Sequence, residues 1–284
     1  SEKSENYDVQ IVRLIHGDTN PEGPGYKEEE IGASCNGNYE GRNQKIHGGS
    51  YIVIPQDNRF NTESFTLQAY VFPTTPDKGR QGLLTKWNEN NSSGYGVFID
   101  DNACLSVMIG DGDGQVFNLS SEKKLMRKVW YLVAASYNSE TGKVTLYQEP
   151  CVTPTNGGLG MSLLHPAEET TALVEGTNNM KPGINDAPFL MAASTVKERS
   201  GRNISGGHYK EAINPVELPE HGFVYNGKID RPRLSNKALT KAEIESLASS
   251  YTACSSDLRA KVVGAWDFHA NITKNIASTF IVDT

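Results

Sequence analysis

A few acidic and imidazole-bearing turns are where this chain could do chemistry. His16-Gly17-Asp18 sets an imidazole and a carboxylate on one tight loop, a pair able to move a proton if a nucleophile stood nearby. No GxSxG or comparable nucleophile signature accompanies it. An Asp beside Gly commonly binds its own backbone, so turn formation is the expected role. Asp100-Asp101 and Asp111-Gly112-Asp113 pair carboxylates, and hard cations take several oxygen ligands. The EF-hand order is not met, because no Glu closes the loop at the required distance. A solvated hairpin turn therefore competes with a structural calcium site at Asp111 and Asp113. His165, His208 and His221 are scattered, with no HExxH and no His/Cys ladder, so no zinc site is expected. Gly23-Pro24-Gly25 is a turn rather than a phosphate loop, since no GK[ST] follows. Trp87, Trp130 and Trp266 alternate with apolar neighbours, which points to core packing. Tyr70 and Tyr95 stand opposite their apolar neighbours, which makes them candidates for an exposed ligand platform.

The elements that must position these residues are strands. Phe65–Phe72 alternates Phe65, Leu67, Ala69 and Val71 with Thr66, Gln68 and Tyr70, the period of two of a half-buried strand. Val9–Ile15, Ser50–Ile54, Gln81–Trp87, Tyr95–Ile99, Leu105–Ile109, Val129–Tyr137, Lys143–Gln148, Phe189–Ser194 and Val262–Phe268 read as further strands, with a short one at Thr171–Val174. Phe223–Leu234 reads as a strand pair or one bent strand. Turn-rich links such as GDGDGQ and NSETG join them. Thr153–Lys181 and Glu198–Gly222 read as irregular. One helix is predicted after Thr240, where Glu243 completes a capping box and Ile244, Leu247 and Ala248 follow at helical spacing. Many short strands with one short helix exclude a doubly wound or α/β-barrel fold. The expected fold is all-β, a two-sheet antiparallel sandwich (jelly roll).

Composition sets outer bounds. The 284 residues carry a net charge of −7 with no Lys/Arg-rich run, which excludes a nucleic-acid-binding face. No stretch is apolar enough to cross a bilayer as a helix, so no membrane partner is expected. Four widely spaced cysteines, Cys35, Cys104, Cys151 and Cys254, read as free thiols in a reducing cytoplasm. The first four residues read as a tag remnant, and the apolar run Phe280–Thr284 as a cut through a longer chain.

Two resemblances follow from these motifs. The order Phe65–Phe72, Gly82–Trp87, Gly94–Ile99, Leu105–Gly110, Trp130–Tyr137 and Leu146–Tyr147 resembles the laminin-G-like, concanavalin A-like family. Tyr225–Leu234 (YNGKIDRPRL), Ala238–Leu239 and Thr240–Ile244 resemble its closing motif. The pattern is broken at Gln148–Pro150, where the usual asparagine–glycine turn is missing. The resemblance places Asp230 in a G-x-I-D motif, where it either supports a structural calcium ion or holds a neighbouring loop by hydrogen bonds. Val12–Ile31, Gly79–Trp87, Ile109–Gly112 and Val263–Phe268 are also similar to the large subunit of the bacterial N,N-dimethylformamidase family.

That second resemblance implies a laminin-G-like region ahead of a catalytic domain whose iron is bound by tyrosines and a glutamate. Those ligands would lie past Thr284, so none is expected here, and no cofactor beyond structural calcium. It implies three segments: 1–49 packed on the sandwich, 50–260 as the sandwich itself, and 261–284 as a boundary to a downstream domain. The implied role is a non-catalytic accessory or assembly module, with a carbohydrate-binding lectin-like module as the rival. The implied partners are the downstream catalytic domain, a small subunit and further copies of the chain. Little burial is expected after Asn271.

Overall fold

In the computed structural model the described residues are 6–40, 50–151, 167–197 and 221–268. They fall into two units. The described part of the first runs from 6 to 40 and holds two antiparallel ribbons. One pairs β1 (Asn6–Val9) with β4 (Gly37–Glu40), the other β2 (Val12–Gly17) with β3 (Tyr26–Glu30). The single strand expected at Val9–Ile15 is thus two, in different ribbons. The acidic β3, YKEEE, and β4 had no apolar alternation to announce them.

The second unit is the sandwich. Its strands are β5 (Ile52–Ile54), β6 (Phe65–Pro73), β7 (Gln81–Asn88), β8 (Ser93–Ile99), β9 (Cys104–Asp111), β10 (Val116–Lys124), β11 (Tyr131–Tyr137), β12 (Lys143–Pro150), β13 (Ala172–Thr177), β14 (Phe189–Met191), β17 (Gly227–Ser235) and β18 (Val262–Ala265). A minor pair, β15 (Ser194–Thr195) and β16 (His221–Gly222), lies beside them in sequence. One six-stranded sheet runs β10-β9-β8-β7-β14-β5 and the other β13-β12-β11-β6-β17-β18. Every pairing is antiparallel.

The period of two places the core. Phe65, Leu67, Ala69 and Val71 of β6 meet Val97, Ile99, Leu105, Val107 and Ile109 of the facing sheet. A bulge in β7 between Gly82 and Leu84 turns both Leu83 and Leu84 inward, since an extra residue resets the alternation. It also carries Lys86 into register with core-facing Tyr95. Lys86 is fully buried. Its ammonium donates to Asn185 O (2.8 Å), Asn185 Oδ1 (3.0 Å) and Ala187 O, which ties the segment before β14 to the sheet. Burial lowers its pKa to about 8, against the opposing pull of Asp186. On the other face of this sheet the Arg80 guanidinium lies over Phe98 and Phe223, 4.8 and 4.3 Å from the ring centres. It pairs with both Glu89 oxygens at 3.3 and 2.9 Å.

The second sheet has a cover of its own. α2 (Lys241–Ser249) begins at Thr240 with the predicted capping box. Its Ile244, Leu247 and Ala248 form a second apolar cluster with Leu132, Ala134 and Tyr147. Leu258 joins them from α3 (Ser256–Ala260), and a Lys261–Glu243 ion pair at 2.8 Å links the two helices. α3 and the four-residue α1 (Ala167–Thr170) are additions to the single helix expected. Both are shorter than the window in which a helical period can be read. β12 runs straight through Gln148, whose buried amide donates to Thr170 O (2.7 Å) and Lys123 O (3.3 Å). That tie stands where the family pattern places a turn. The expected lack of burial after Asn271 falls outside the described residues.

Candidate functional site

Side chains on the outer face of β6 and β17 bring rings and charges together near the C-terminal end of α2. Asp230 sits directly opposite Tyr70, and Lys228 opposite Phe72, so these four share one face. Gly227 starts β17 because a Cβ there would meet Phe72 O at 2.4 Å and Tyr225 Oη at 2.3 Å. A bulge follows Asp230, with Arg231 at φ 47°, which swings Arg231 toward the helix. Its guanidinium lies 5.9 Å from the Tyr70 ring and donates to Ala248 O at 3.4 Å. The Tyr70 hydroxyl donates to the same carbonyl at 3.4 Å. Both donors thus satisfy a last-turn carbonyl of α2, a group that lacks a helical partner, and the cation suits that end of the helix dipole. Farther along, Trp130 packs on Phe72 with ring centres 5.4 Å apart, and the Lys228 ammonium lies 5.2 Å from the Phe72 ring. Trp130 and Phe72 are half-buried.

The polar groups of this strip are engaged in bonds within the fold. Tyr70 has its pKa raised, mainly by burial, so it is a neutral hydrogen-bond donor rather than a base. Asp230 accepts from the Arg231 amide at 3.0 Å and faces its guanidinium at 3.8 Å. What remains open is aromatic surface with a cation beside it, suited to stacking and cation–π contact.

The sequence-derived candidates divide accordingly. Tyr70 and Asp230 come together, but the Tyr70 ring is packed against the helix cluster, so it is a brace rather than a free platform. Tyr95 is the clear correction: it is 1% exposed, stacked on Phe65 at 4.2 Å, and donates to Phe60 O at 2.7 Å. Within β8, Tyr95 alternates with Val97 and Ile99 onto the core side, so the strand's own period of two already places the ring inside. Asp111 and Asp113 belong to the other sheet. The Asp111 carboxylate accepts from the amides of Asp113 (2.8 Å) and Gln115 (3.1 Å), closing the β9–β10 hairpin. Among the described residues no three His, Cys, Asp or Glu side chains converge on a metal position. In the first unit, Asp18 accepts from the Asn20 amide at 2.8 Å, the turn role expected of it. Trp130 was read as core and is half-exposed, because it precedes β11 and lies on its outer side; its partner Phe72 was missed with it. Trp87 and Trp266 are core residues, as expected.

Residues 47–156 match the concanavalin A-like lectin/glucanases superfamily. The matched span takes in β5 to β12 of the all-β sandwich formed by the two six-stranded antiparallel sheets. Across 98% of its length the chain is 31% identical to the N,N-dimethylformamidase beta subunits of Alcaligenes sp. and Paracoccus aminophilus. It spans about a third (34%) of each of these relatives. Among solved structures it resembles a putative carbohydrate-binding protein from Bacteroides ovatus, with a TM-score of 0.46, 15% identity, and coverage of 87% of this chain and 59% of that one. It also resembles the Ruminococcus gnavus sialidase CBM40 module bound to α2,3-sialyllactose, with a TM-score of 0.43, 14% identity, and coverage of 70% and 96%.

Proposed function

We propose that this concanavalin A-like unit is a non-catalytic assembly module of an amide hydrolase related to N,N-dimethylformamidase. The observation that carries the reading is the match to those beta subunits along nearly all of this chain but only a third of theirs. On this reading the parent subunit is the large one, its chemistry resides in the other two thirds, and it assembles with a different, smaller chain. The polar groups described here support the reading, because they brace the fold: Arg80 with Glu89, Lys86 with Asn185, Tyr70 with the end of α2. The test is hydrolysis of N,N-dimethylformamide by this chain and by the full-length subunit in its assembly. Activity is expected only in the assembly. Turnover by the chain alone, abolished by substituting a residue within it, would overturn the reading.

The half-exposed Trp130–Phe72 pair beside Lys228 supports a second reading, a binding surface for a sugar ring or other flat ligand. Tryptophan fluorescence titrated with an oligosaccharide panel tests it. A saturable change lost in Trp130→Ala is expected on that reading, and a flat response across the panel counts against it.

A further inference from the structure

Between residues 6 and 40 not one residue is buried. Two-stranded ribbons are marginal in water unless a further layer covers them. Yet these ribbons hold their register and expose Tyr7, Ile11, Val12, Leu14, Ile15, Tyr26, Ile31 and Tyr39, with Leu14 at 57% and Tyr26 at 58%. Such a concentration of exposed apolar side chains marks an interface.

The pairing register shows what kind. Val12 stands opposite Glu30, and Leu14 opposite Glu28, so one face of the β2–β3 ribbon mixes aliphatic side chains with carboxylates. Tyr26, two residues before Glu28, adds its ring to that face and donates to the Glu28 carboxylate at 2.6 Å. Glu30 accepts from the Asn36 amide at 3.2 Å. Both carboxylates thus meet neutral donors. Arg13 is opposite Glu29 on the other face, 4.0 Å from its carboxylate. Residues 6–40 hold seven acidic side chains against two basic ones. Two copies of such a face repel each other, and an anionic lipid surface is excluded for the same reason. A cationic polypeptide surface with apolar side chains between its charges complements it.

Resting on the reading of this chain as part of a multi-chain enzyme, we propose that the face formed by Val12, Leu14, Tyr26, Glu28 and Glu30 is the docking surface for a basic face of the companion subunit. The charge keeps the unassembled ribbon soluble, and the apolar side chains hold the complex once formed.

Hydrogen exchange on the native assembly, purified from its own host, tests this. Amides of 6–40 are compared in the intact assembly and in the subunit separated from its companion at high salt. Exchange at least tenfold slower in the assembly is expected. The double variant Glu28→Lys/Glu30→Lys should elute without the companion chain while the sandwich keeps its melting temperature. Leu14→Ser, at an exposed position, should weaken assembly at least tenfold without unfolding anything. Equal exchange in both states would overturn the proposal. So would protection that persists in the separated subunit, since its own chain would then be the cover, or protection that follows dissociation of like chains. N,N-dimethylformamide turnover by the same preparation is scored separately, so a failure of the enzyme assignment is told apart from a failure of the docking site.

Discussion

Replacing Lys86 by methionine measures what a cation costs inside the sandwich. Lys86 is fully buried, and its three acceptors are uncharged oxygens of Asn185 and Ala187. Its pKa of about 8 lies below the ordinary 10.5 because burial disfavours the charge. Below pH 8 the folded and unfolded chains both keep the proton. Between about 8 and 10.5 the folded chain releases it while the unfolded chain retains it, so folding stability rises with pH through that window. The displacement corresponds to about 3 kcal/mol at full extent. Methionine removes this charge penalty but takes the lysine donor from the main-chain oxygens of Asn185 and Ala187, at about 1–3 kcal/mol each, while Asn185 Oδ1 keeps the Ala187 amide. At pH 7 the two effects oppose. At pH 10 the wild-type lysine is largely neutral and the penalty is mostly gone. The cost of Lys86→Met should therefore be about 2–3 kcal/mol greater at pH 10 than at pH 7. Urea unfolding of both proteins at pH 7, 8.5 and 10 gives the difference, in which every other titration cancels. A cost that stays level across this range would refute the claim that Lys86 is charged and desolvated in the fold.

Three further substitutions probe other ties. Gly227→Ala drives a methyl into Phe72 O and should destabilise by about 2–4 kcal/mol, read as a fall in denaturation midpoint. Tyr95→Phe removes the 2.7 Å bond to Phe60 O in the core and should cost about 1–2 kcal/mol, with the near-ultraviolet spectrum retained. Arg80→Lys keeps the charge but loses the two-pronged contact with Glu89 and the stacking on Phe98 and Phe223. A loss of about 1–3 kcal/mol is expected, and a thermal melt unchanged from wild type would show the clamp to be idle.

The sandwich was legible because alternation is a strong signal where one face is buried. Phe65–Phe72 announced β6, and Thr240 with Glu243 announced the start of α2. β10 escaped notice since VFNLSSEKK mixes exposed and half-buried positions at the edge of its sheet. The site was less legible. Tyr70 and Asp230 were singled out separately, and only the pairing of β6 with β17 sets them face to face. Tyr95 misled because its neighbours Gly94 and Gly96 carry no side chain to mark a face, although it alternates with Val97 and Ile99 onto the core side. The exposed ribbon at 6–40 could be read as strand and loop, but its lack of any buried residue is a property of the fold alone.

The pairing of β6 with β17 has a consequence for how the chain comes off the ribosome. β6 lies between β11 and β17 in its sheet, so residues 65–73 find one neighbour about 60 positions later and the other more than 150 later. The run β7-β8-β9-β10 is a meander of consecutive strands and can zip up as it emerges. Its facing sheet cannot close until β17 has been synthesised, and α2 with α3 can seal the outer side only after that. Until β17 is made, one edge of β6 has no partner strand. Such distant closure is slow, and it leaves strand edges open to wrong pairings meanwhile. Synthesis rate and chaperone access should therefore govern the yield of this protein more than the stability of the finished sandwich does.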